Sequence, residues 1–412
     1  MNDMTPPAVG SAPIEFNPLD PAFIADPYPF YRRLRELAPV FKTPQGFWLI
    51  TRYDDTAFVL RDKRFGKDFE GNMRRRYGGT GRMEEPAVAS LARTMLVQDP
   101  PDHTRLRGLV TKAFTARRVA DMRPRIKALV DQQLDRVADK GEMDVMRDLA
   151  HRLPVIVICD MLGIPEEHRA PFLAGSNVNG RILEPVPMTR EELDQANRTT
   201  QMAGVYFNQL CELRRREPRD DLTTELVKAE EAGDKLTAEE LQANIGLLFG
   251  AGHETTTNLI GNGLLALHRN PDQWERLKSD PSLIPNAIEE LLRYDSSVQL
   301  TGRVTHAEVE VGGVTLGAEE SVITLLGAAN RDPAQFENPD QLDVGRQNVK
   351  PLSFGGGIHY CLGAQLARLE AELTFAALVE RMPNLTLPDK DKPAWRRSFT
   401  LRGLSQLPAV WH

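Results

Sequence analysis

The chain has 412 residues, 41% of them hydrophobic and 26% charged, the balance of a globular protein with a large buried core. A formal net charge of −7 excludes nucleic acid as a bulk partner, because phosphate binding needs a positive surface. No apolar run is long enough to span a bilayer, and the N-terminus has no basic flank followed by an apolar stretch. A cytoplasmic protein without membrane contact is therefore expected.

Residues 1–20 form a Pro-rich, polar lead, expected to be extended or mobile. FWLITRYDD, near residue 50, predicts a strand. The segment from Glu70 to Arg93 carries Arg74, Arg75 and Arg76, then Gly78 and Gly79, with little periodicity, and predicts a long irregular loop. RIKALVDQQLDRVAD and PDQWERLKSD carry apolar residues at three- and four-residue spacing, the mark of helices. Thr237 followed by Glu240 is a capping-box pattern. Periodicity then runs to Asn270, where Pro271 stops it, giving a helix of roughly 30 residues and about 45–50 Å. VEVGGVTL, near residue 312, predicts two short strands around a Gly-Gly turn. The expected architecture is mainly helical with small β-sheets. No linker or internal repeat interrupts it, so residues 1–412 are expected to form a single domain.

Three cysteines are too few, and odd in number, for a disulfide framework. Cys159, in VIVICDML, has a core setting, and Cys211 lies in an Arg-rich helical stretch. Only Cys361 is surrounded by glycines, in Phe354-Gly-Gly-Gly-Ile-His-Tyr-Cys361-Leu-Gly363. The following AQLARLEAELTFAALVERM is strongly helical, which puts Cys361 at or just before a helix N-terminus. Backbone N–H groups and the helix dipole there are expected to depress the thiol pKa. The glycines, Gly357 and Gly363 among them, allow close approach to a bulky planar group, and Phe354 can shield the sulfur from water.

This run resembles the haem-binding signature of the cytochrome P450 superfamily, of the soluble bacterial type. The resemblance implies that the haem lies between the long helix and the cysteine loop, with Cys361 as the thiolate ligand of the iron. In the long helix, Ala251-Gly252-His253-Glu254-Thr255-Thr256 resembles the family's oxygen-binding motif. Ala251 and Gly252 then leave room for the macrocycle and dioxygen. Thr255 hydrogen-bonds the iron-bound oxygen, and Glu254 relays protons. Glu290-Leu-Leu-Arg293 resembles the family's structural Glu–Arg pair, with Arg346 as its third member; the same spacing at Glu166/Arg169 and Glu212/Arg215 lies elsewhere in the chain order. His103, Arg107, Arg303 and His359 resemble a clamp on the haem propionates, with Leu96 also near the haem. Ser297 stands where many bacterial members have proline.

By resemblance, the expected reaction inserts one oxygen atom from O2 into a hydrophobic small molecule, by hydroxylation or epoxidation, on haem b. The sequence has no flavin or NAD fingerprint and no iron–sulfur cysteine cluster. Electrons are therefore expected to come ultimately from NAD(P)H through an external ferredoxin and its reductase. A basic patch of Arg105, Lys112, Arg117 and Arg118 is a candidate docking surface. The substrate pocket is expected to draw on Leu247, Leu248, Ala251, Val298, Leu300 and Phe399, with the Arg74–Arg76 triplet offered to a substrate carboxylate. Two competing readings are a peroxide-driven peroxygenase on the same fold and a non-catalytic haem sensor. The Glu254–Thr255 pair favours the O2-dependent enzyme over the first. No blocked distal side or partner domain supports the second.

Overall fold

The computed structural model describes residues 14, 16–174, 177–231 and 236–411. Its axis is the helix Ala238–Arg269, capped by Thr237. The Thr237 hydroxyl accepts from the Glu240 N–H, and the Glu240 carboxylate accepts in return from the Thr237 N–H. From Thr256 to His268 every residue of this helix is buried. Helices Arg152–Leu162, Ile284–Tyr294 and Ala364–Arg381 pack around it and supply most of the main hydrophobic core.

A five-stranded sheet lies to one side, in the order 40–42, 48–50, 321–325, 300–305, 65–66. Only the pairing of Trp48–Ile50 with Ser321–Leu325 is parallel. The strand predicted near residue 50 stops at Ile50. Asp54 and Asp55 in the first turn then favour the helix Tyr53–Arg61. Val309–Val311 and Val314–Leu316 form a hairpin whose Gly312 and Gly313 both have positive φ, at 56° and 82°.

Two expectations are corrected. Residues 70–93 are not an irregular loop: they hold helices Phe69–Tyr77 and Pro86–Ala92. The Asp68 carboxylate caps the first, accepting from the Gly71 N–H, and Pro86 opens the second. Each helix buries only a narrow face, through Met73, Ala87 and Val88 in a small separate cluster, and the arginines hide that periodicity in the sequence. The predicted lead lies outside the described residues for 1–13. From Phe16 onward it is ordered structure, with the Phe16 ring packed against Phe23, Phe30, Phe47 and Phe399. Among the described residues, no helix is long and apolar enough to cross a membrane.

The cysteine loop is fixed from below by the helix Ile284–Tyr294. Glu290 and Arg293 are both 0% exposed and meet in two hydrogen bonds, of 2.7 and 2.8 Å. Arg346 donates to both Glu290 oxygens at 3.1 and 3.2 Å, and the Asp343 N–H adds a fourth donor. Arg293 also donates to the carbonyls of Asn330, Pro339 and Gln341. Removing one partner of a buried ion pair leaves the others desolvated and unmatched, at a cost of about 3–5 kcal/mol. Glu290→Gln is therefore expected to lose about 3–5 kcal/mol in urea unfolding, and an unchanged midpoint would contradict this account.

Candidate active site

Cys361 is the one cysteine with an exposed side chain; Cys159 and Cys211 are buried, and burial pushes both of their thiols up to about 12. The Cys361 N–H donates to the Phe354 carbonyl at 2.9 Å, closing the loop. Gly355 and Gly357 turn the chain with φ of 71° and 64°. A Cβ on Gly357 would run into the carbonyl oxygen of Leu60, so only glycine lets the loop approach that helix. A Cβ on Gly363 would meet nothing within 4 Å, so the protein itself leaves open space there. Phe354 lies under the Arg368 guanidinium, 4.5 Å from the ring centroid, and beside Tyr360.

The Cys361 thiol is not depressed as its place before a helix suggested. The protein packed around the loop desolvates the sulfur even though the residue keeps accessible surface, which raises its pKa and outweighs the lowering by the Gly363 N–H, Arg107 and Arg368. The helix Ala364–Arg381 begins at the right place, but desolvation is the larger effect. A bound metal cation removes such a proton outright.

The other side of the site gathers three basic side chains, Lys67, Arg107 and Arg303, around two histidines. The His103 and His359 rings lie 4.3 Å apart, and the Nε2 atoms of both are buried without a hydrogen-bond partner. Burial, then Lys67, Arg303, His103 and Arg107, push the His359 pKa down to about 2. Arg303 is buried and, among the described residues, donates only to Thr301 Oγ1 and the Gly302 carbonyl. Arg107 donates to the Tyr360 carbonyl at 2.6 Å. The nearest carboxylate, Asp99, accepts instead from the backbone N–H groups of Lys67 and Asp68. Buried cations without counter-ions are costly, and they demand an anionic group. A haem with its two propionates would meet that demand, and the open space beside Gly363 would leave room for a bulky group. Leu96 is half-buried in a segment pinned to the central helix: Asn244 accepts from the Met95 N–H and donates to the Arg93 carbonyl.

In the central helix, Thr255 Oγ1 donates to the Ala251 carbonyl at 3.0 Å, and Thr257 does the same to His253. His253 Nδ1 bonds the Phe249 carbonyl at 2.8 Å. Three side chains thus take up carbonyls on adjacent turns, which loosens the helical ladder locally. Glu254 lies behind Thr255. Burial lifts its pKa to about 7 against the pull of Arg396, whose guanidinium is 3.4 Å away. A Cβ on Gly180 would lie 3.3 Å from Glu254 Oε2, so the turn Asn177–Leu183 roofs the acid.

Several expected roles change. Gly252 faces Ile158, 3.1 Å from where its Cβ would be, so its missing side chain serves helix packing and clears no space for a ligand. Phe399 packs edge-on against Phe16 and Phe23 at 5.3 and 5.4 Å, which commits it to the N-terminal aromatic cluster, with Leu300 in the same cluster. Leu248 is buried in the main core, Leu247 and Val298 are half-buried, and Ala251 is exposed. The arginine triplet divides. Arg74 pairs with Glu70 and Arg75 with Asp68 at the surface, while Arg76 turns inward to the carbonyls of Ile182 and Val186. The triplet is a strap between two wall segments, not a free carboxylate site. The basic patch is largely neutralised: Arg105 pairs with Glu240 and Asp102, Arg118 with Asp220, and Arg117 approaches Asp121. The Ser297 hydroxyl is buried and unpartnered. Lys67, Arg368 and Arg396 escaped the sequence reading, because each is an ordinary basic residue whose role comes from distant chain.

The cytochrome P450 family profile matches residues 33–406. The chain belongs to the cytochrome P450 family. It is 44% identical over 406 residues to cytochrome P450 107B1 of Saccharopolyspora erythraea, covering 94% of this chain and 96% of that one. It is 43% identical over 394 residues to the vitamin D(3) 25-hydroxylase of Pseudonocardia autotrophica, covering 94% of each. Among solved structures, P450BioI in complex with a hexadecenoic acid-ligated acyl carrier protein superposes with a TM-score of 0.87 at 38% identity, over 95% of this chain and 100% of that one. This P450 is a monooxygenase using haem b and O2, with electrons drawn from NAD(P)H through redox partners.

Glu254 gives a pH signature. Its carboxyl is raised in the folded protein from 4.5 to about 7, so folding favours the protonated form. That stabilisation is full below the unfolded value and is lost as pH rises through the folded one. The thermal midpoint of the parent minus that of Glu254→Gln is expected to fall between pH 4.5 and about pH 7. A constant difference would contradict the buried acid.

Proposed function

We propose that Cys361 supplies the axial thiolate, that His103, Arg107, Arg303 and His359 hold the propionates, and that Thr255 and Glu254 handle protons for the reaction. The observation that carries this reading is the juxtaposition of one exposed cysteine, in a glycine-shaped loop, with Lys67, Arg107 and Arg303, none of which has an ion pair among the described residues. When bound, the haem supplies the oxidising chemistry, activating O2 at its iron. The chain does the rest. Phe354 and Arg368 cover the sulfur side, and Gly357 holds the loop against Leu60. Thr255, already bonded to the Ala251 carbonyl, offers its hydroxyl oxygen at the loosened turn. Glu254, with a pKa near the operating pH, takes a proton from the Arg396 side and passes it toward Thr255.

An acid–alcohol pair of this kind serves O2-dependent turnover and favours it over a peroxide-driven route. The whole chain acts as one unit around this site. Its electron donor is a ferredoxin, served by a reductase. With the arginine patch paired off, the docking face centres on the cysteine loop, where Ile358 and Tyr360 are 51% and 41% exposed. The substrate is a hydrophobic small molecule, in keeping with a relative named for vitamin D3 and a solved structure in complex with a hexadecenoic acid-ligated carrier protein.

The reduced carbon monoxide spectrum of the parent is expected to show the thiolate-type Soret band, and Cys361→Ala to lose it. A band that survives the substitution would sink the assignment. With a steroid or fatty-acid probe that shifts the spin state, Thr255→Ala is expected to cut product formation by about 10²-fold while hydrogen peroxide release rises. Unchanged product yield per O2 consumed would contradict the proton role.

A further inference from the structure

We propose that Lys67 is a fifth anchor for the haem propionates, and that its charge holds the haem's reduction potential up. The inference rests on the haem placement above and adds a residue and a property to it.

Lys67 is aimed by backbone it does not control. The short strand Phe65–Gly66 pairs antiparallel with the strand that carries Arg303, with Phe65 opposite Thr305 and Gly66 opposite Val304. Both oxygens of Asp99 accept from the Lys67 N–H, at 2.9 and 2.8 Å, which fixes the next residue along. The side chain then lies across the Arg303 strand, and Nζ donates to the Gly302 carbonyl at 3.2 Å. Among the described residues this is the only hydrogen bond of an ammonium that has three to give. Burial, then Arg303, drives the pKa of Lys67 well below the ordinary lysine range, against a weaker pull from Asp99. Asp99 is already occupied by two backbone donors, with His306 at 3.6 Å.

The charge count gives the consequence. Lys67, Arg107 and Arg303 are three cationic side chains around one cluster, and none has an ion pair among the described residues. Two propionates supply two negative charges and leave one positive charge over. The external donor transfers one electron to ferric haem, and the haem charge falls by one with no bond made or broken. A surplus positive charge fixed at its edge favours that reduced state, more strongly in a site shielded from water. Lys67 is the member of the three to remove, because its one side-chain bond among the described residues is to the Gly302 carbonyl within the sheet, whereas the bond of Arg107 holds the Tyr360 carbonyl of the cysteine loop.

The test compares the parent holoenzyme with Lys67→Met and Lys67→Arg. Haem transfer to excess apomyoglobin measures anchoring, and spectroelectrochemical titration of the ferric–ferrous couple measures tuning. Lys67→Met is expected to lose haem about tenfold faster and to shift the couple negative by about 59 mV, one decade for a single electron. Lys67→Arg is expected to match the parent on both. Haem loss and potential both unchanged in Lys67→Met would overturn the proposal, and faster haem loss with an unchanged potential would overturn its tuning half. If Lys67→Met takes up no haem, uptake by Lys67→Arg supports the need for a cation, and failure of both assigns Lys67 to the fold alone. The reduced carbon monoxide spectrum of the parent is read first. Loss of the thiolate-type band there defeats the haem placement, whereas an intact band with unmoved variants defeats only Lys67.

Discussion

One buried carboxylate carries the architecture of the site. Glu290 takes hydrogen bonds from Arg293, Arg346 and the Asp343 N–H, and Arg293 spends its remaining donors on three backbone carbonyls of the segment 330–341. That segment in turn carries Asn330, whose amide bonds Ser296 and Ser353, while its oxygen accepts from the Leu352 N–H. Leu352 and Ser353 lead directly into Phe354 and the cysteine loop. Arg368, on the helix that follows Cys361, reaches back to Glu289, the neighbour of Glu290. The loop is thus held at both ends by one helix, and Glu290 holds that helix to the rest. Such a network costs desolvation, and its return is geometric: a glycine-rich loop keeps one shape.

The electrostatics of the pocket point the other way. Where the Glu290 network is internally balanced, the Lys67–Arg303–His359 cluster is not, and neither is the Cys361 thiol. Burial raises the thiol and lowers the cations, so each group stands in the direction of its neutral form. A ligand with an electropositive centre and two carboxylates reverses both shifts at once. Its binding therefore contributes to folding stability by mass action as well as to chemistry.

Much of this was legible in the chain itself. Thr237 and Glu240 set the start of the central helix, and Pro271 its end, because caps and breakers act locally. The glycine run around Cys361 was legible for the same reason. Glu290 and Arg293 share one helix face at i, i+3. The failures have a physical pattern too. The helices at 69–77 and 86–92 bury too narrow a stripe for periodicity to show. Gly252 and Phe399 lie within or beside recognisable motifs, yet their contacts, to Ile158 and to Phe16, come from chain far away in sequence. The arginines at 74–76 looked alike in sequence, and only the carbonyls of Ile182 and Val186 distinguish Arg76 from its neighbours. Local chemistry is written in neighbouring residues; the partner of a long side chain is not.

The position of Glu254 joins the packing of distant chain segments to the acidity of one carboxyl. Burial, not a neighbouring charge, is the main cause of its raised pKa, so whatever sets its burial sets its acidity. Its covering is Gly180, in the turn Asn177–Leu183, and that turn is tied down through Glu184. The Glu184 carboxylate accepts from the N–H groups of Phe399 and Thr400 and from the Ser398 hydroxyl. Arg396, the cation facing Glu254, is two residues before Ser398 on the same C-terminal segment. The roof over the acid and the cation beside it are therefore one mechanical unit. Whatever keeps that turn seated therefore keeps water from Glu254, and with it the carboxyl above the ordinary carboxylate range.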